Sequence, residues 1–469
     1  MSSRPFLLRR LSELRVIDDA REQAFVREGI VTLADLELAI AERRPIVAGS
    51  ALDRAGVLIA NERRPLTLGR AWDVLDSMLT TIEAHCPEVQ PLQPAGGVRR
   101  VEPIVTTLSL VGRSLNPAHS LERITSLPIV GDVLHRTAGR ALVVFDGYEV
   151  DIRVASGTEY GSVLFAATGP PAHAAEVLQR RGPRLSASET DVYAHAGLSY
   201  VPPEARGSAD ALEAAGQNTF PRLVQREDVR GDLHMHTTYS DGLDSLGRMV
   251  HAAQVLGYEY IAITDHSEHA GASRTIGADG LKRQRDEIER IRVATPGLTI
   301  FHGLEVDILP NGSLDCSDEL LGSLDIVLAS LHDSAGQDRA KLMRRYLGAI
   351  RHPLVNVITH PSNQLVGHRA GYDLDYAAIY AAAAETGTAL EVDGAPAHLD
   401  LSGERAREAA RAGVTLAVDS DCHRARLLDR QMRLGVGTAR RGWVEPRSVL
   451  NTGTADDVRA FVAQKRRAS

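Results

Sequence analysis

The segment GDLHMHTTYSDG, residues 231–242, begins the part of the sequence that decides the fold. After it, short apolar runs alternate with helical stretches such as LGRMVHAAQVLG (246–257), LKRQRDEIERIRV (281–293) and YAAIYAAAAETG (376–387). Repeated strand–helix alternation is typical of an α/β fold with a parallel sheet, most simply a barrel. The apolar runs are YIAITDHS (260–267), LTIFHGLEVDI (298–308), LDIVLASLHD (324–333), VNVITHP (355–361), TALEVDG (388–394) and VTLAVDSDCH (414–423).

Histidine, aspartate or glutamate stands at the end of nearly every one of these predicted strands. His234 and His236 are two residues apart on the first strand, so both imidazoles face the same side. Functional groups gather at the C-terminal ends of the strands in parallel barrels, so we expect these side chains to converge. The predicted site residues are His234, His236, Asp241, Asp265, His266, Glu305, Asp307, His332, His360, Asp421 and His423.

The chemical types of these residues indicate metal binding. Neutral imidazole suits zinc, manganese or iron, and carboxylates offset the charge of the cation that they bind. Nine of the eleven predicted site residues, all except Asp265 and Asp307, are potential ligands. One tetrahedral ion uses only four ligands. We therefore expect two or three divalent metal ions, manganese first, with zinc or iron as alternatives.

The run from Asp228 to about Leu450 resembles the PHP (polymerase and histidinol phosphatase) domain, in the version fused to bacterial family X DNA polymerases. The segments that carry the resemblance include GDLHMHTTYSDG, YEYIAITDHS, GLEVDILPNGSLD, ITHPSNQLVGHRAGYDLD and LGVGTARRGWVEPRSVLNT. It implies a (β/α)7 barrel with a trinuclear metal site. It also implies three ligand sets: His234, His236, Glu305 and Asp421; Glu305, His332 and His360; Asp241, His266 and His423.

Two further carboxylates are the predicted catalytic residues. Asp265, next to His266, is expected to orient a ligand rather than bind an ion, and Asp307 is expected to act similarly beside Glu305. The remaining histidines that match no ligand position are interpreted as structural or surface residues: His269, His302, His352, His368 and His398.

The N-terminal half resembles a degenerate form of the polymerase part of the same family. Residues 1–88 are predicted to be helical, similar to a degenerate helix-hairpin-helix and fingers region. Residues 89–203 resemble an α+β polymerase-beta-like palm and thumb, with strands flanking a turn at Asp146-Gly147. Residues 204–230 are predicted to be a linker, and 231–469 the PHP domain with a C-terminal extension.

The polymerase-like segment lacks most of the catalytic residues of the family. The Asp-x-Asp element falls on Thr107-Leu108-Ser109, and only the third carboxylate, Asp151, is retained. Hydroxyl groups do not replace charged oxygens at magnesium, and phosphoryl transfer with two metal ions needs more than one carboxylate. We predict that nucleotide addition is lost.

Composition restricts the environment and the partners. The formal charge of −8 argues against a protein that coats DNA, but not against a nucleic-acid enzyme whose metal ions supply positive charge. The three cysteines lie far apart, and no apolar stretch approaches the ~18 residues of a membrane span. We expect a cytoplasmic monomer without membrane contact.

Three functions fit these observations. The first is a nuclease, a 3′-5′ exonuclease or 3′-end-processing enzyme that acts on DNA 3′ ends. The second is a phosphomonoesterase for small phosphate esters, of the histidinol phosphatase type. The third is a non-catalytic repair scaffold, which the full set of ligand residues disfavours.

Overall fold

A computed structural model describes residues 4–467, except 49–50, 53–54, 57–58, 60–64, 272–273 and 333–337. The chain forms two compact units, Met1–Phe220 and Pro221–Ser469. Their division falls within the stretch 204–230 that the sequence predicts as a linker; the finer domain boundaries stay predictions. The first unit combines helices with an open sheet, and the second is a parallel barrel.

The helices of the first unit bury apolar residues that recur at helical spacing. Leu7 and Leu11 lie one turn apart on the first helix and are both buried. Thr32 and Asp35 form a capping box at the start of the third helix, where the Asp35 carboxylate accepts a hydrogen bond from Thr32 N at 2.8 Å. The helices are α1 (Phe6–Glu13), α2 (Asp19–Arg27), α3 (Leu33–Ala41), α4 (Leu68–His85), α5 (Gly96–Arg99), α6 (Pro117–Thr125), α7 (Tyr160–Thr168), α8 (Pro171–Arg181), α9 (Glu189–His195) and α10 (Ala211–Gln217).

Seven strands complete this unit: β1 (Leu66–Thr67), β2 (Leu92–Pro94), β3 (Ile104–Val105), β4 (Leu108–Arg113), β5 (Val133–Arg136), β6 (Arg140–Phe145) and β7 (Tyr148–Ala155). Five of them form one sheet in the order β2-β4-β7-β6-β5. The predicted turn between β6 and β7 is confirmed, because Asp146 and Gly147 both have positive φ, as a tight hairpin turn requires. The all-helical prediction for 1–88 is wrong at β1, which pairs with β3.

The second unit is a nearly closed barrel of seven parallel strands in sequence order, and all six predicted apolar runs contain a strand. The strands are β8 (Gly231–Asp232), β9 (Tyr260–Ile263), β10 (Thr299–Asp307), β11 (Ile326–Ser330), β12 (Val357–Ile358), β13 (Ala389–Asp393) and β14 (Leu416–Asp419). The helices are α11 (Leu246–Val255), α12 (Ala278–Ala294), α13 (Asp318–Gly322), α14 (Arg339–Arg351), α15 (Tyr376–Thr386), α16 (Gly403–Arg411), α17 (Leu428–Arg441) and α18 (Ala455–Arg467).

Side chains as well as backbone join the first and last strands of the barrel. Asp419 accepts a hydrogen bond from Leu233 N at 2.8 Å, and Asp232 accepts one from Ser420 N at 3.2 Å. The strand β8 ends at Asp232. His234 and His236, which the sequence analysis placed on this strand, follow its last residue. An isolated bridge from Met235 to Cys422 keeps this segment extended, so the alternation of side chains persists.

The barrel interior is apolar at one end and polar at the other. Tyr260, Phe301 and Leu328 point inward and pack with Val458 and Val462 of α18. Alternate residues of the same strands pack outward against the helices, which is the period of two expected for strands. Among the described residues, no helix is long and apolar enough to cross a membrane. The polar end of the barrel holds the candidate site.

Candidate metal centre

Glu305 lies at the middle of the candidate site. Its side chain is fully buried at the C-terminal end of β10. The Oε2 atom lies 2.7 Å from Nδ1 of His266, and the Oε1 atom lies 2.9 Å from Nε2 of His360. Imidazole nitrogens of five histidines come within 3.6 Å of this one carboxylate: His234, His236, His266, His332 and His360.

Two aspartates hold the other side of the cluster. Asp421 Oδ1 lies 3.1 Å from Nε2 of His236, and Asp241 Oδ1 lies 3.2 Å from Nε2 of His423. All nine predicted ligands therefore meet at one end of the barrel. Three groups of donor atoms within 4.8 Å of one another contain eight of them: His236, Asp241, His266 and His423; His234, His236 and Asp421; His266, Glu305 and His332. The ninth, His360, contacts Glu305 at 2.9 Å.

The arrangement of donors fits divalent ions. Two ligands about 2.1 Å from one ion lie roughly 3.0–3.4 Å apart, depending on the coordination geometry. The separations in this cluster, such as 3.1 Å between the Nε2 atoms of His234 and His236, are of that size. Glu305 Oε2 and His266 Nδ1 are buried and form no hydrogen bond among the described residues, although they lie 2.7 Å apart. Buried polar atoms are normally satisfied, so a shared cation is the partner that these atoms lack.

Neighbouring acceptors fix which imidazole nitrogen faces the centre. Nδ1 of His332 donates to Asp307 Oδ1 at 2.9 Å, and Nδ1 of His423 donates to the Asp421 carbonyl at 3.0 Å. In the neutral tautomer that these contacts favour, the Nε2 atom of each ring is the one that can bind an ion, and it is directed at a carboxylate of the cluster. This pairing of an acceptor with a ligand histidine is common in metal proteins, where it sets the tautomer.

The charges in the cluster shift the pKa values of its members strongly. Burial, with the charges of His423 and His266, lowers the pKa of His236 to about 3. Burial would raise the pKa of Asp241, but its hydrogen bond to His423 and the charge of His266 lower it to about 2. A neutral imidazole and an ionised carboxylate are the forms that bind metals.

Glu391 is a central residue that the sequence analysis missed. It is fully buried on β13, and its Oε1 accepts a hydrogen bond from Nδ1 of His234 at 2.7 Å. Its Oε2 accepts one from the backbone N of His360 at 2.7 Å. Glu391 therefore positions two predicted ligands at once. The available signal was its place at a strand end, in the run TALEVDG.

We expect Glu391→Gln to weaken Mn²⁺ binding about 10- to 100-fold, as is usual when the partner of a ligand histidine is removed. The amide still accepts one hydrogen bond but no longer carries the charge that fixes the His234 tautomer. Isothermal titration of the metal-free protein with MnCl₂ measures the effect. Glu259→Gln is the matched control, since Glu259 is exposed and paired with Arg230. Unchanged affinity in Glu391→Gln would refute this role.

The two predicted catalytic carboxylates have different surroundings. Asp307 contacts His332, as described above. Asp265 accepts hydrogen bonds from Thr237 N at 2.8 Å, Ser240 N at 3.0 Å and Gln284 Nε2 at 2.5 Å. It thereby holds the loop that leads into Asp241. Among the described residues, its hydrogen bonds go to that loop and to α12, so its contacts support a positioning role through the loop.

The other histidines separate into two kinds. His269 is exposed and pairs with Asp315, and His302 bonds to Gln284, away from the nine ligands. His398 is different, because its ring stacks on His360 with centroids 5.2 Å apart. It also joins Asp393 and Asp421 in a further group of donor atoms. The interpretation of His398 as a structural or surface residue therefore missed its place beside the cluster.

The N-terminal unit contains the residues on which the resemblance to a polymerase site falls. Ser109 on β4 pairs in register with Asp151 on β7, so the hydroxyl stands where the sequence comparison placed a lost carboxylate. The Asp151 carboxylate forms ion pairs with two arginines. Arg140 Nε lies 2.7 Å from it, and Arg153 lies 2.9 Å from it. A small cavity of about 80 Å³ remains, lined in part by Thr107, Ser109 and Asp151.

Comparison with known proteins places the chain in a family. Residues 232–391 match the PHP domain. The DNA polymerase/3'-5' exonuclease PolX of Bacillus subtilis (strain 168) is 36% identical over 389 residues, which cover 78% of this chain and 68% of that protein. The chain belongs to the PolX family and carries its PHP domain as a (β/α)7-type barrel.

More distant relatives match a shorter part of the chain. A probable phosphatase of Thermoanaerobacter sp. (strain X514) is 30% identical over 204 residues, covering 41% of this chain and 78% of that protein. The crystal structure of histidinol phosphate phosphatase from Lactococcus lactis subsp. lactis Il1403, with zinc, L-histidinol and phosphate, aligns with a TM-score of 0.35 and 18% identity. It covers 46% of this chain and 95% of that chain, a likeness too distant to inform function.

Proposed function

We propose that the barrel is a metal-dependent phosphoesterase that removes nucleotides from DNA 3′ ends as a 3′-5′ exonuclease. The observation that carries the proposal is the convergence of nine metal-competent side chains around the buried Glu305 carboxylate. Membership of the PolX family supports DNA as the substrate, since the Bacillus relative is named a 3'-5' exonuclease.

The residues of the chain have distinct roles in this proposal. Two or three divalent cations, manganese first, would polarise a phosphoryl oxygen and acidify a water molecule when bound. Glu305 would supply negative charge to bound cations, and the histidines around it would supply nitrogen donors. Asp307 and Glu391 hold His332 and His234 by their Nδ1 atoms, so these ligands keep one orientation.

A small-molecule phosphomonoesterase is the second candidate. Two observations favour it: relatives that match 41% of the chain are named probable phosphatases, and the formal charge of −8 does not attract DNA. The longer match to the Bacillus relative, over 78% of the chain, favours the nuclease.

We expect the protein with MnCl₂ to shorten a 5′-labelled single-stranded DNA into a ladder from its 3′ end. His236→Ala should remove this activity, because His236 belongs to two donor groups of the cluster. His251→Ala is the matched control, since His251 is exposed on α11 and lies outside these groups. Gel electrophoresis of timed samples measures the shortening.

A parallel assay with histidinol phosphate separates the two candidates. Release of phosphate from this ester, without any DNA shortening, would replace the nuclease by the phosphomonoesterase. Inactivity of the wild-type protein on both substrates, with metal bound, would contradict both functions.

We also propose that nucleotide addition is lost, because Asp151 is paired with two arginines and Ser109 stands beside it. A primer–template incubated with MgCl₂ and all four dNTPs should therefore show no extension above background. Asp151→Asn should behave like the wild-type protein in this assay. Templated extension by the wild type that Asp151→Asn abolishes would show that the polymerase site still works.

A further inference from the structure

Asp393 and His398 form a group of donors that none of the ligand sets above uses. A carboxylate oxygen of Asp393, a ring nitrogen of His398 and a carboxylate oxygen of Asp421 lie within 4.8 Å of one another. Asp393 ends β13, and His398 lies on the loop that follows this strand. The group adjoins the Glu305 cluster through Asp421 and through the stacking of His398 on His360.

Asp393 has an unpaired oxygen in the protein interior. The residue is fully buried, and its Oδ1 accepts a hydrogen bond from Ala395 N at 2.5 Å. Its Oδ2 is buried and has no hydrogen-bond partner among the described residues. An unsatisfied carboxylate oxygen in the interior is costly unless a cation compensates it.

His398 is oriented as a ligand histidine is. Its Nδ1 donates to the Gln364 carbonyl at 3.0 Å, which leaves Nε2 as the unprotonated nitrogen. The Gln364 side chain in turn donates to the carbonyl oxygens of His398 and Leu399, at 2.8 and 2.9 Å. Gln364 thus holds both the ring and the backbone of this loop in place.

The local backbone also indicates that the arrangement is constrained. His360, Leu399 and Asp421 all have positive φ, although none is glycine. Such conformations cost free energy and are common where a functional geometry has to be maintained. Gly394, next to Asp393, has no room for a Cβ, because the Gln431 carbonyl would lie 2.0 Å from it.

The charge balance of this region favours an additional cation. Three neighbouring acidic side chains are 0% exposed, and no lysine, arginine or histidine of the described residues forms an ion pair with any of them: Asp393, Asp400 and Asp419. Buried carboxylates without cationic partners are rare unless they bind metals.

We propose that Asp393, His398 and Asp421 form a further divalent-cation site beside the Glu305 cluster, separate from the ligand sets of the family resemblance. Two carboxylates and one imidazole suit Mn²⁺, which accepts mixed oxygen and nitrogen donors. Asp421 is shared, with its Oδ1 directed at His236 and His234. Three protein donors leave coordination positions for water.

Mn²⁺ titration of the metal-free protein, with free Mn²⁺ followed by electron paramagnetic resonance, tests the site. The wild type should bind one ion per chain more than Asp393→Asn or His398→Asn. The asparagine amide can take the place of Nδ1 and keep the bond to Gln364, while the Nε2 donor is removed. His251→Gln and Asp286→Asn are matched controls on exposed helix positions and should bind as many ions as the wild type.

The result separates this site from the cluster and from the proposed activity. Equal ion counts in the wild type and both variants would overturn the site, and so would the loss of more than one ion, since the residues would then serve the Glu305 cluster. If Asp393→Asn or His398→Asn unfolds, His398→Leu replaces it in the same count. The count is independent of hydrolysis, so an inactive protein that still binds the additional ion would refute only the proposed function.

Discussion

Replacement of Glu305 by glutamine is expected to reduce hydrolysis by about a thousandfold. Five histidines face this carboxylate, and the substitution removes the one negative charge that they share. The amide nitrogen is also unable to bind a cation. The measurement is kcat/KM on single-stranded DNA with MnCl₂, together with the metal content by mass spectrometry.

Asp307→Asn is the control for this experiment. Asp307 contacts only one predicted ligand, His332, so its loss is expected to cost about 10- to 100-fold. An activity of Glu305→Gln within tenfold of the wild type would contradict a metal centre organised around Glu305. Equal losses in both variants would show that the two carboxylates act as one unit.

The second large effect concerns stability rather than activity. Arg140→Met is expected to lower the free energy of unfolding of the N-terminal unit by about 3 kcal/mol. Arg140 bonds to Asp151 and Asp35 at 2.7 Å each, and its side chain is only 12% exposed. Burial would raise the pKa of Asp35, but the charges of Arg140 and Arg153 hold it below its usual range. Without Arg140, Arg153 alone faces two buried carboxylates.

Urea unfolding followed by circular dichroism measures this loss. Arg180→Met is the control, because Arg180 and Glu176 form an exposed pair at 3.7 Å whose removal should change stability by less than about 0.5 kcal/mol. The double variant Arg140→Met/Asp151→Asn should recover part of the loss, since it removes one of the uncompensated charges. A loss below about 1 kcal/mol for Arg140→Met would refute the buried network.

The ion network surrounds the one carboxylate that the polymerase resemblance retains. In the sheet, Asp151 and Ser109 are neighbours, and the guanidinium groups of Arg140 and Arg153 pair with the Asp151 carboxylate. The sequence comparison indicated that carboxylates were missing. It did not indicate that Arg140 pairs with the remaining one, because that contact depends on the register of β6 against β7. Nor did it indicate that the network extends to Asp35, which is 105 residues from Arg140 in the chain.

The sequence by itself determined the barrel and the residues at its rim. The period of two in runs such as YIAITDHS, and the alternation of strands with helices, follow from local backbone geometry, which a single sequence expresses directly. The convergence of His234, Glu305 and Asp421 then follows from the parallel arrangement of the strands.

Only the tertiary structure decided which groups surround these ligands. Glu391 and His398 stand on strand and loop positions that look ordinary in sequence, yet one holds His234 and the other stacks on His360. Strand periodicity fixes the side to which a residue points, but not the neighbour that it meets there. That neighbour depends on strand order, register and loop path, which arise from packing between segments far apart in the chain.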